Sequence, residues 1–169
     1  MDRAEIERAA RTVAEWIAQD VTEHGPRGAL RRVILRWFPD SDALALTVHV
    51  LAVADPAPSR ELMWLPVEWP NLPRESARTH RLRRAHEFGE LEARLTAATD
   101  DLYDLSADLA EAAIGELLSA LKAAGIELAD DFAATATHFE AWGGLDVLCA
   151  TMPEGVVAQL KAERALPPP

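Results

Sequence analysis

The stretch Trp64-Leu-Pro-Val-Glu-Trp-Pro70 limits the fold more than any other part of the chain. It holds two of the five tryptophans, two prolines and one carboxylate in seven residues. Proline fixes its own φ and turns the residue before it away from helix. The segment is therefore stiff and non-helical, with two large rings held in set places. Such a segment serves either as a structural staple or as a recognition surface.

The rest of the chain reads as ordinary globular protein. At 169 residues it is expected to form one α+β domain over residues 1–165, with a Pro-rich tail at 166–169. A chain of this size buries roughly 70% of its unfolded surface without needing staples. A composition 49% hydrophobic and 27% charged is far from the disordered class. The single cysteine, Cys149, has no partner for an internal disulfide, which fits a reducing compartment. The start Met1-Asp-Arg-Ala-Glu5 carries no apolar leader and no apolar run reaches the ~20 residues of a membrane span, so a cytoplasmic protein without a membrane partner is expected.

A net charge of −11 argues against nucleic-acid binding, which depends on cations displacing counterions from phosphates. The charge is uneven. Residues 60–84 hold six arginines against three glutamates, and residues 85–131 hold twelve acids against Arg94 and Lys122. The basic segment either folds against the acidic one, or the acidic face meets a basic partner.

Periodicity places the elements. Ile6, Ala10, Val13, Ile17 and Val21 form a helical stripe widened by Trp16, with Asp2 and Glu5 as a capping box and Gly25-Pro26 as the stop. Residues 30–38 read as a strand with Val33, Leu35 and Trp37 on one face and a mixed set, Arg32, Ile34, Arg36 and Phe38, on the other. After the turn signal Pro39–Asp42, Leu44, Leu46, Val48 and Val50 alternate in a second strand, giving an antiparallel hairpin. Glu61–Leu65 is a candidate third strand, and residues 74–98 carry a weak helical stripe.

Residues 101–124 carry a strong one, through Leu102, Leu105, Leu109, Ala113, Leu117 and Leu121, closed by Gly125. A second hairpin is expected from Phe132–Glu140 and Leu145–Met152 around Ala141-Trp142-Gly143-Gly144. A last helix follows over Glu154–Arg164, with Thr151 and Glu154 as its capping box. The resulting order is α-β-β-(β)-α-α-β-β-α. It describes a mainly antiparallel sheet of two hairpins with helices packed on one face.

Catalytic grammar is sparse. The histidines His24, His49, His80, His86 and His138 show no tight ligand spacing, and there is no C-x-x-C pair, so no metal site is expected. Cys149 lies in an apolar alternating run, where cysteine packs as a small inert hydrophobe; a nucleophile would need His138 facing it. No phosphate-binding glycine loop or nucleophile elbow occurs, and no cofactor is expected. Asp100-Asp101 and Asp130-Asp131 read as caps or solvated loop residues. Arg81, Arg83 and Arg84 could grip an anion, but the acidic helix is the more economical partner. Glu68 between indoles could be a perturbed acid, or simply accept an N–H or pair with an arginine.

Trp64, Pro66, Glu68 and Trp69, followed by Leu121-Lys-Ala-Ala-Gly125 and Met152-Pro-Glu154, resemble a family of small uncharacterised bacterial α+β proteins, a domain of unknown function marked by a W-x-P-x-E-W segment. The resemblance covers most of the chain. It implies no established activity. Some similar acidic proteins are encoded beside polymorphic toxins and act as their immunity partners.

The function expected from all of this is protein binding rather than catalysis. An acidic module, of immunity type, would neutralise a basic partner through Trp64, Glu68, Trp69 and the helix acids Asp101, Asp104 and Asp108. One alternative is a small-ligand protein or enzyme with a pocket around Trp64, Glu68 and Trp69. Another is a homo-oligomeric structural protein, with a homodimer as its simplest form.

Overall fold

The computed structural model describes residues 3–26, 28–40, 43–53, 64, 77–81, 91, 93, 97, 102–138, 149 and 152–166. They form an α+β arrangement in the order α1 (Arg3–His24), β1 (Leu30–Asp40), β2 (Ala43–Ala52), β3 (Ala77–Arg81), α2 (Leu102–Ala123), β4 (Leu128–His138) and α3 (Glu154–Ala162). The sheet order is β3-β2-β1-β4.

β1 and β2 form the expected hairpin, in register from Leu30↔Ala52 to Asp40↔Ala43. β3 adds antiparallel to β2, from Thr47↔Arg81 to Leu51↔Ala77. β4 runs parallel to β1, pairing Arg32 with Ala133 and Trp37 with His138. A parallel neighbour cannot be reached through a tight turn. Here α2 lies directly before β4 and packs on the sheet, so it forms part of the crossover from one side of β1 to the other.

Several expectations are corrected. β3 falls inside the stretch read as helical over 74–98, whose stripe was too weak to resist pairing with β2; Leu91 and Ala93 are helical, so part of that helix stands. Trp64 sits in a 3₁₀ turn rather than in a strand over Glu61–Leu65. Cys149 is helical, not on the return strand of a second hairpin over Leu145–Met152; short apolar runs of that kind do not separate strand from helix. The capping box at Thr151 gives way to Pro153, which caps α3 without a side-chain hydrogen bond.

Helices cover both faces of the sheet, not one. Val33, Leu35, Val48, Val50 and Ala136 point to α1 and α2, where Val13, Ile17, Leu109 and Leu117 complete the larger cluster. Ile34, Leu51 and Ala133 point the other way, to Trp64, Met152, Leu160 and Leu166. Leu166, at the start of the expected tail, is therefore a core residue. Alternation along β1 made this legible in principle, because Ile34 is as apolar as its neighbours and buried opposite to them.

The ends of α2 and α3 share one device. Beyond α2, Ile126 N–H donates to Leu121 O and Gly125 N–H to Lys122 O, with Gly125 at φ 73°. This is a Schellman turn, as the sequence pattern expects. Beyond α3, Ala165 N–H donates to Leu160 O and Arg164 N–H to Lys161 O, but the left-handed position is Arg164 at φ 54°. A side chain there costs free energy that glycine avoids. Arg164→Gly should therefore raise the stability by about 0.5–1 kcal/mol in urea titration. A loss of stability would show that the exposed Arg164 side chain matters more than the backbone strain.

Candidate functional site

The outward side of α2 is the most distinctive surface among the described residues. Its inward side is apolar and buried through Leu105, Leu109, Ala113, Leu117 and Leu121. On the other side Asp104, Asp108, Glu111, Gly115, Leu118 and Lys122 are all exposed. At 100° per residue these six lie within roughly 40° of one line along the helix. The first three are acids, spaced by four and three residues. Like charges at that spacing repel and cost a helix a few tenths of a kcal/mol per pair. The helix dipole favours acids only near the first turn, so it accounts for Asp104 and not for Asp108 or Glu111.

Further along the same line Leu118 is 43% exposed, one of two large apolar side chains so placed among the described residues. It borders a groove of about 250 Å³ lined by Ile114 and Leu118 of α2, Leu128 and Phe132 of β4, and Pro153 and Val156 at the start of α3. Lys122 stands at its rim. The groove lies beside β4, the outer strand of the sheet among the described residues, where the layers on its two faces meet. It falls below the about 300–1,000 Å³ typical of small-ligand pockets. A larger depression of about 580 Å³ between α1 and α2 is lined by small residues such as Ala14, Ala18 and Ala120, and Arg11 faces Glu116 across it at 3.5 Å.

Trp64 plays a different part. It is 2% exposed, and its indole N–H donates to Ala165 O at 3.0 Å. The Arg32 guanidinium lies over its ring, 4.7 Å from the centroid. Trp64, the one described residue of the Trp/Pro segment, is thus a staple joining the sheet to the chain after α3. Asp104 and Asp108 are both on the exposed stripe. Glu68, Trp69 and Asp101 lie outside the described residues.

Arg32 is the member of this cluster that the sequence did not single out. Between Leu30 and Arg32 the pairing of β1 shifts, so that Leu30 faces Leu128 while Arg32 faces Ala133. The extra β4 residues bulge, and a backbone carbonyl leaves the ladder. The Arg32 guanidinium, 1% exposed, donates to that carbonyl, Asp131 O, to Arg31 O at 2.6 Å and to Asp131 Oδ2 at 3.4 Å. Asp131 also accepts from Arg31 at 3.2 Å, so it is an ion-pair residue and not a free loop acid. Burial lowers the Arg32 pKa to about 10, although Asp131 opposes the shift. Above about 10 the unfolded chain holds more protons at this group than the folded one, so its burial cost is relieved as pH rises and is present in full at neutral pH.

The same sheet face buries Arg36, His49, Thr135 and Thr137. Arg36 pairs in register with Thr137, and Ile34 with both His49 and Thr135, so these residues are near neighbours. Burial also holds the Arg36 pKa below its usual value. None of the four lacks a partner. No cluster of three or more metal-ligating side chains occurs among the described residues. No helix among them is long and apolar enough to cross a membrane.

No family model, curated protein or solved structure matches the chain.

Proposed function

We propose that this protein is an acidic protein-binding module whose α2 stripe receives a basic protein partner, in the manner of an immunity protein neutralising its target. The single observation behind this reading is the line Asp104–Asp108–Glu111, whose mutual repulsion the helix bears without an ion pair from Asp108 or Glu111 among the described residues. A fixed field of one sign speeds encounter with a complementary surface and sets its orientation. The net charge of −11 extends that field over the whole molecule. A reducing, cytoplasmic setting fits the single Cys149.

Affinity capture from the host lysate tests the reading. The tagged protein should retain a partner at about 50 mM salt and lose it by about 500 mM, as the Debye length shrinks. The triple variant Asp104→Lys, Asp108→Lys, Glu111→Lys should lose it at both. All three positions are exposed, so folding should be kept. Capture that ignores both salt and charge reversal would remove the stripe from the function.

A further inference from the structure

Resting on that reading, we infer that the groove beside Leu118 is an anchor pocket, and that its occupant is a cationic amphipathic helix of the partner lying antiparallel on α2. Three features of the surface select this occupant. The first is size. About 250 Å³ of apolar space beside β4, walled by Phe132, Val156 and Leu118, accepts one large apolar side chain rather than a whole ligand. Partly exposed Leu118 gains burial when such a side chain enters.

The second feature is register. Glu111, Asp108 and Asp104 lie seven, ten and fourteen residues before Leu118 on the same line. At 1.5 Å per residue they stand about 10, 15 and 21 Å from the anchor. A helix laid along α2 presents side chains at matching heights when Lys or Arg recurs about seven, eleven and fourteen residues from its own apolar anchor. Gly115, between the acids and Leu118, has open space around its Cα and lets the two backbones come close.

The third feature is polarity. Lys122 sits on the far rim of the groove, so cations of the partner are accepted on the acidic side of the anchor and repelled on the other. An antiparallel helix places the anchor in its first turns and its cations toward its C-terminus. There they also suit the partner's own dipole, and the two helix dipoles oppose. A second copy of this chain fits less well, since it would bring a molecule of net charge −11 and the same three acids to this face.

The test uses the full chain and three labelled synthetic helical peptides of about 20 residues, one of them an anchor Leu→Ala control, followed by fluorescence anisotropy. The forward peptide has a Leu anchor followed by Lys at positions seven, eleven and fourteen. Another has the same composition with the order reversed. The forward peptide should bind at low salt, and both the reversed peptide and an anchor Leu→Ala peptide should bind at least about tenfold more weakly. Leu118→Glu should weaken forward binding by a similar factor while leaving the thermal midpoint unchanged.

Equal binding of all three peptides, still abolished by lysine at 104, 108 and 111, would overturn the anchor pocket and leave the basic-partner reading standing. Binding untouched by that charge reversal would sink both. A dimer in light scattering that Leu118→Glu dissolves would assign the groove to a second copy and overturn the inference.

Discussion

Trp64→Ala should destabilise the protein by roughly 3–5 kcal/mol, the range for truncating a buried tryptophan. For a chain of this size that lowers the thermal midpoint by roughly 6–20 °C. Three contributions converge on this side chain. Its ring fills the smaller cluster together with Ile34, Leu51 and Leu160. Its N–H donates to Ala165 O, a carbonyl set in place by the left-handed turn at Arg164. Its face carries the Arg32 guanidinium. Trp64→Phe keeps most of the area and loses the hydrogen bond, so it should cost only about 1–2 kcal/mol. Equal losses in the two variants would mean that the N–H bond, not the packing, holds the C-terminal chain. Parent-like melting of both would return the segment to the recognition reading.

Replacing Arg32 by Met should cost about 2–4 kcal/mol, although exchanging a buried ion pair for apolar side chains is often neutral. The reason lies in what Arg32 serves. Its ion pair with Asp131 is the lesser part, because the Asp131 side chain is 30% exposed and still accepts from Arg31. Its larger contribution is to donate to Arg31 O and Asp131 O where β4 leaves the ladder. Methionine replaces the stem and the contact with Trp64 but supplies no donor. Arg32→Lys should recover less than half of the loss, since one ammonium does not reproduce a planar fork stacked on an indole. Chemical denaturation of the three proteins decides the matter. An Arg32→Met variant within 1 kcal/mol of the parent would show that water satisfies those carbonyls.

The two predictions concern residues that the sequence treated unequally. Trp64 stood out because a tryptophan leading into two closely spaced prolines sits on a stiff, non-helical segment. Arg32 was visible only as part of a mixed strand face with Ile34 and Arg36. The signal was in the alternation: a strand with cations and a branched residue on its second face needs a cover that satisfies both. The exposed line on α2 was half legible, since Asp104 and Asp108 were picked out as acids. Leu118 is apolar like the stripe beside it, and it is exposed because Leu117 and Leu121 already fill the buried side of the helix.

Local pattern determined what depends on neighbours in the chain. The 3.6-residue stripes of α1 and α2, the β1–β2 hairpin and the glycine stop at Gly125 follow from side-chain spacing and turn chemistry, and they stand where the sequence placed them. Tertiary structure decided what depends on partners far away. β4 pairs with β1 across about a hundred residues, and in parallel, because α2 fills the crossover between them. Ala77–Arg81 became a strand because the free edge of β2 satisfies its backbone better than a weak helical stripe does. Ile34, Leu51 and Ala133 needed a second layer, and Trp64, Leu160 and Leu166 supply it. A stripe or an alternation fixes which residues share a face; only the assembled sheet fixes which residues cover that face.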